Sequence, residues 1–274
     1  MKLIMFVGEE SNQSNLVKEI SSIQKIDLVV LRKNTAQKKN YLNDLLSTLR
    51  KSFFFPLNRA WFKMLEAYPP INLADYSKEI ITVQSVNEEI VFSKVNEIKP
   101  TLTLVSGTNL LSNELISLLR NYGDVFNLHT GLSPYVNGGP NCTNWCLFMN
   151  KIDLIGNTVM HINSGIDSGD LIATEKVDLN NIFTLKKLHQ EVMHSAQKLY
   201  LKCIHAKLNG IELPSINQEN INVSKRTFYT KEWNIRKEML ACKNFYFWII
   251  KKVITKKNKK SESDETVTFP LNIN

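Results

Sequence analysis

Residues 126 to 141, FNLHTGLSPYVNGGPN, place an asparagine and a histidine two positions apart at the end of an apolar run. Val125 to Leu128 reads as the end of a strand, and the Gly, Ser, Pro and Asn that follow read as a loop. Side chains alternate along an extended chain, so Asn127 and His129 project to one side while Leu128 turns toward a core. An asparagine amide is a permanent neutral donor, and imidazole gives or takes a proton near neutral pH. Together they can hold a carbonyl oxygen and manage the charge that develops on it. By itself the pair reads first as a polar strand end tied into its own loop.

A second stretch lies downstream, GNTVMHINSGIDSGDLIA at residues 156 to 173. Thr158 to Ile162 alternate like a strand, Ser164 to Gly169 form a glycine-bounded loop, and Leu171 to Ala173 begin another strand. Asp167 rides on that loop, where a turn aspartate bonding nearby backbone is the plain reading.

Strands and helices alternate around these two stretches. KLIMFV (2 to 7) is a short apolar run, NLVKEISSI has helical spacing at Leu16, Ile20 and Ile23, and DLVVL (27 to 31) is a second strand. Further along come a buried strand at 101 to 106, a helix at 112 to 122 with Ser112 as its cap, and the strand VFNL. Consecutive strand, helix, strand units build an open, mostly parallel twisted sheet with helices on both faces. The fold class is therefore α/β, and ligands in such sheets bind at the C-terminal strand ends, where His129 emerges.

The long helix expected at 184 to 208 carries Leu185, Leu188, Val192, Ala196, Leu199 and Cys203 at helical intervals and should close the main domain. Its His189, His194 and His205 read as surface or core residues. Residues 37 to 67 look like a helical insertion with Phe53, Phe54, Phe55 and Trp61, a cover for the sheet or a partner surface in a homodimer. The expected organisation is a main domain over 1 to 210, a small extension over 211 to 250, and a basic, disordered tail over 251 to 274. Within the extension, RTFYTKEWN (226 to 234) reads as a packed strand, with base stacking by Tyr229 or Trp233 as the alternative.

Composition narrows the classes further. A chain of 274 residues with 43% hydrophobic content can bury a proper core. No run approaches the roughly 18 apolar residues of a membrane span, and MKLIMFVGEE lacks a signal-peptide pattern, which points to the cytoplasm. Cys142, Cys146, Cys203 and Cys242 are too scattered for a disulfide framework or a zinc site, so free thiols and no metal are expected. The net charge of +8 is concentrated in KKVITKKNKK near the C-terminus, and no stacking or groove-reading motif accompanies it, so nucleic acid is not an expected partner. A solvated tail is the plain reading. FYFWII immediately ahead adds the aromatics that let a peripheral segment sit on an anionic membrane surface.

As an ordered set, N-L-H, L-S-P-Y with G-G-P, and G-N-T-V-x-x-I-x-x-G-I-D-S-G-D-L-I, these motifs closely resemble the folate-dependent formyltransferase family. The resemblance is strong over residues 100 to 180 and weak at the N-terminal strand and helix. It implies that Asn127, His129 and Asp167 are the catalytic residues and that N10-formyltetrahydrofolate is the co-substrate. It also implies a folate pocket built from Ser106, Gly107, Thr108, Asn109, Leu110 and Leu111, with Gly165 and Ile166. Thr130, Gly131 and Asn137 stand where the family more often has other residues. With Tyr135 and Gly138 they are expected to face the acceptor.

The implied reaction is transfer of a formyl group to a primary amine. The methionyl-tRNA enzymes of the family carry a larger C-terminal part, and Glu9 and Glu10 in VGEESNQSNL would repel the phosphate that glycinamide ribonucleotide brings. The chain therefore looks most like the N-formyltransferases that act on nucleotide-linked amino sugars for O-antigen and other surface polysaccharides. Hydrolysis of formylfolate by water and a non-catalytic binding role are the readings from other classes.

Overall fold

The computed structural model describes residues 1–33, 55–139, 141–223 and 225–256. The chain runs β1 (Leu3–Gly8), α1 (Ser11–Ser21), β2 (Leu28–Arg32), α2 (Pro56–Leu65), β3 (Ile80–Val83), α3 (Glu89–Ile98), β4 (Leu102–Ser106), α4 (Asn113–Arg120) and β5 (Asp124–His129). It continues through β6 (Asn137–Gly138), α5 (Cys142–Phe148), β7 (Gly156–His161), β8 (Leu171–Lys176), α6 (Leu185–Leu208), β9 (Thr227–Phe228) and α7 (Ile235–Lys256).

Seven strands form one sheet in the order β3-β2-β1-β4-β5-β7-β8, parallel as far as β5 and antiparallel across β7 and β8. Strands β1 and β4 are buried along their whole length, as parallel strands covered on both faces must be. On one face α1 contributes Leu16, Val17 and Ile20, and α6 contributes Ala196, Leu199 and Cys203. On the other, Val91 and Val95 of α3 and Leu115 and Leu119 of α4 pack against Ile4, Phe6 and Val125. Strand order reverses between β1 and β4, and their C-terminal ends approach so closely that a Cβ on Gly8 would lie 2.4 Å from the Gly107 carbonyl oxygen.

Most expected elements form within a residue or two of their sequence limits, including the Ser112 cap, whose Oγ accepts from the Leu115 N–H at 3.3 Å. Helix α6 starts one residue after the expected limit, with Thr184 capping the Lys187 N–H at 3.2 Å. His189 is buried on it, and His194 and His205 are exposed.

The C-terminal part differs from expectation. In residues 226 to 234 the only strand is the two-residue β9, which pairs with β6 in the stretch after β5, and Thr230–Glu232 forms a 3-10 turn. The 22-residue helix α7 then runs to Lys256, six residues past the expected limit at 250. Its Ala241, Cys242 and Phe245 pack against α5, so tertiary burial sustains a helix that the aromatic run FYFWI did not advertise. Of the expected insertion, residues 37 to 54 lie outside the described residues; Pro56–Leu65 is helical, opened by Pro56 at its first turn.

Candidate active site

Asn127 and His129 leave β5 on the side away from Leu128, which belongs to the core beneath α6. The strand is held in place from three directions. Val105 lies opposite Asn127 on β4, Thr158 lies opposite His129 on β7, and the Tyr200 hydroxyl of α6 donates to the Phe126 carbonyl at 2.8 Å.

His129 is 8% exposed, and both ring nitrogens face partners. Nε2 lies 3.3 Å from the Val136 carbonyl oxygen and 3.5 Å from Cys142 Sγ. A carbonyl can only accept, so the Val136 contact calls for the proton on Nε2 and leaves Nδ1 to exchange one. Nδ1 lies 3.3 Å from Asp167 Oδ2. Burial pushes the Cys142 thiol well above its ordinary pKa, so it remains a neutral neighbour that donates to the Gly138 carbonyl at 3.2 Å.

Asp167 is reached by a loop with its own internal scaffold. Asn163 Oδ1 accepts from the Gly165 N–H at 3.0 Å and from the Ser168 hydroxyl at 2.7 Å. Asp167 itself has φ of 48°, a left-handed conformation that aspartate tolerates better than most side chains. Its Oδ2 accepts from the Gly138 N–H at 2.9 Å, and its carbonyl accepts from Asn137 Nδ2 at 3.0 Å and from Gln218 Nε2 at 2.9 Å. Gln218 also donates to the Gly169 carbonyl at 2.7 Å.

These residues open on a cleft of about 230 Å³. Gly107 to Leu111 form one side, and Met160 to Gly165 form another. Val105, Leu110, Leu111, Ile116, Met160 and Ile162 give it apolar patches within a mainly polar lining, which includes Asn109, Asn163, Asn127, His129 and Asp167. Such a lining can bury apolar surface of a ligand and hydrogen-bond its polar groups. A second recess of about 680 Å³ adjoins it, with Gly107 and Thr108 common to both. Trp61, Trp145 and Trp233 line that recess together with Glu9, Glu10, Arg32 and three asparagines, Asn58, Asn141 and Asn144. Trp145 stacks on Phe228 with ring centres 4.4 Å apart and meets Trp233 edge-on at 4.9 Å. Trp61 Nε1 donates to Glu10 Oε1 at 3.4 Å, and burial raises the Glu10 pKa.

The structure thus brings Asn127, His129 and Asp167 to one end of one cleft and puts Gly107, Thr108, Asn109, Leu110, Leu111 and Gly165 on its walls. Ser106 is buried at the end of β4, and Ile166 does not line the cleft. Of the five positions expected to face an acceptor, Thr130 lines the cleft and the others back the site. Gly131 lies against the imidazole, Asn137 and Gly138 hold Asp167, and Tyr135 packs against the Trp145 cluster. Trp233 lines the second recess, whereas Tyr229 is 45% exposed beside Lys231.

Sequence reasoning missed Gln218, His161, Asn163 and most of the second recess. Only the Trp233 position carried a usable signal, an aromatic among polar residues after the closing helix.

The formyl transferase family pattern matches residues 58–204, a little over half of the chain. The methionyl-tRNA formyltransferase of Clostridium botulinum (strain Alaska E43 / Type E3) is 31% identical over 168 residues, covering 61% of this chain and 47% of that protein. The chain therefore spans about half the length of the curated relatives it matches. Among solved structures, the N-formyltransferase of Helicobacter canadensis, in complex with folinic acid and dTDP-3-aminofucose, superposes with a TM-score of 0.57 at 16% identity. It covers 88% of this chain and 80% of that one. A sugar N-formyltransferase from Shewanella sp FDAARGOS_354 gives 0.56 at 14% identity, covering 89% and 88%. At such identities the structural likenesses establish a shared fold. With the matched family pattern and an Asn-x-His and Asp pair meeting in one cleft, the chain belongs to the formyl transferase family.

Proposed function

We propose that this chain moves the formyl group of N10-formyltetrahydrofolate to the primary amine of a nucleotide-linked amino sugar, as a step in making a bacterial surface polysaccharide such as O-antigen. The observation that carries the reaction class is the contact between His129 and Asp167, with Asn127 lining the same cleft. Bound there, the folate supplies an activated formyl carbon. Asn127 then donates to the formyl oxygen as it gains negative charge, and His129 adds positive charge when Nδ1 is protonated. The attacking amine must lose a proton and the departing nitrogen must gain one. His129 Nδ1 and Asp167 Oδ2 are the groups that can carry it. The Val136 carbonyl anchors the far edge of the ring during that exchange.

The second recess supports the sugar as acceptor. It adjoins the cleft and offers three tryptophans for a base and amides and carboxylates for sugar hydroxyls, with Arg32 to offset Glu9 and Glu10 where a nucleotide phosphate would lie. A tRNA acceptor is the second reading, favoured by the methionyl-tRNA formyltransferases among the sequence relatives.

The test incubates the purified chain with N10-formyltetrahydrofolate and a panel of nucleotide-linked 3-amino and 4-amino sugars, glycinamide ribonucleotide and charged methionyl-tRNA. A gain of one formyl group on a sugar supports the proposal, and modification of tRNA alone supports the second reading. Formate release without any amine indicates a hydrolase. His129→Ala and Asp167→Asn should each fold and lose at least ~10² in turnover; parental turnover in either removes these residues from the mechanism.

A further inference from the structure

Helix α7 has one side packed against the molecule and one side with no described neighbour covering it. Glu238, Ala241, Cys242 and Phe245 face inward. Lys252 also turns back toward the body, donating to the Leu179 and Ile182 carbonyls and sitting 4.7 Å from the centre of the Trp248 ring. The opposite side exposes Met239, Tyr246, Phe247, Ile250, Val253 and Ile254, each between 48% and 58% accessible. These positions recur at helical spacing, so they form a continuous apolar stripe. Lys243 and Lys251 are exposed along it, with Lys243 Nζ 6.0 Å from the centre of the Phe247 ring.

Charge decides what can cover this stripe. From Met239 to Lys260 the sequence contains seven lysines and no aspartate or glutamate, and these lysines outnumber Glu262, Asp264 and Glu265 in the stretch that follows. Residues 34 to 54 carry Lys38, Lys39, Arg50 and Lys51 against the single Asp44, so they share the same sign. A second copy of the helix would bring the same lysines against themselves. An anionic lipid surface accepts the apolar side chains at the headgroup boundary and attracts the lysines. Among the described residues no helix is long and apolar enough to cross a membrane, so the geometry is that of a helix lying on a bilayer.

We infer that the outward face of α7 docks the protein on an anionic membrane surface, with Tyr246, Phe247, Ile250 and Ile254 entering the headgroup region and Lys243 and Lys251 meeting lipid phosphates. This inference is independent of the acceptor the enzyme uses. It places the active site beside a membrane, whichever amine is formylated.

The experiment is flotation of the purified full chain with vesicles of phosphatidylcholine alone, or of phosphatidylcholine with about one third phosphatidylglycerol, at low and high salt. The expected result is flotation with the anionic vesicles alone, weakened by salt. Lys243→Glu and Lys251→Glu should each lower partitioning by about fivefold or more. Phe247→Ser combined with Ile250→Ser should lower it by at least about tenfold. All four positions are exposed, and circular dichroism verifies that the variants fold. Failure to float with anionic vesicles overturns the inference, as does undiminished flotation of the variants. A concentration-dependent dimer in sedimentation that Phe247→Ser dissociates also overturns it, by assigning the face to a second copy.

Discussion

Gly131→Ala is the sharpest test of how His129 is held. A Cβ built on Gly131 would lie 2.2 Å from His129 Nε2, where ordinary contact begins near 3.4 Å. The imidazole would have to retreat by the difference, about 1.2 Å (3.4 − 2.2). The methyl group has no easier direction, because the Val136 carbonyl oxygen would be 2.7 Å away and Cys142 Sγ 2.9 Å away. Nor can the loop swing freely, since the Thr158 hydroxyl donates to the Gly131 carbonyl at 2.7 Å. Gly131 does not have positive φ, so alanine fits its backbone and the clash alone is under test.

Retreat of the ring breaks the Nε2 contact with Val136 and alters the Nδ1 approach to Asp167. A displacement of about 1 Å at a reacting group can cost on the order of 10² in rate. Overpacking should cost about 1–3 kcal/mol of stability, seen as a fall of several degrees in Tm. The assay is initial formyl-transfer rate with the acceptor identified from the panel, alongside thermal unfolding. Gly139→Ala is the control, because a Cβ there meets nothing within 4 Å. Near-parental turnover in Gly131→Ala would show that catalysis does not depend on the ring position in this structure, and the reasoning would fail.

Two further predictions concern residues around the site. Gln218→Ala removes the donor to the Asp167 and Gly169 carbonyls, so the loop should loosen at a cost of about 1–3 kcal/mol in urea unfolding and turnover should fall. Turnover unchanged despite that destabilisation would separate Gln218 from the placement of Asp167. His189 is 1% exposed, and its pKa is pushed down to about 4 by burial. Its folded value lies below the unfolded 6.5, so its stabilising contribution is full above pH 6.5 and declines as pH falls toward 4. Between pH 7.5 and pH 5 this loss should be about 2 kcal/mol in urea unfolding, and His189→Met should lack that share of the acid sensitivity. Equal pH slopes for the two proteins would contradict it.

Much of the scaffold was legible because its signals are local. Continuous apolar runs marked β1 and β4, cap residues marked α4, and the two-residue period of a strand put Asn127 and His129 on one side. The helix α7 was not legible. Apolar side chains occupy both its inward and outward faces, so Phe245 beside Tyr246 and Phe247 hides the helical period.

By itself, the sequence determined the α/β alternation, the strand end bearing the Asn-x-His pair and the glycine-bounded loop bearing Asp167. Each of these depends on neighbours a few residues away. Only the tertiary structure decided that Nδ1 meets Asp167 while Nε2 is backed by Val136 and Cys142, and that Gln218 returns after α6 to hold the Asp167 loop. It also decided that β1, α2, α5 and the segment around Trp233 share one recess. Such contacts depend on how separate elements pack together, and no local periodicity encodes the direction from which a distant side chain arrives.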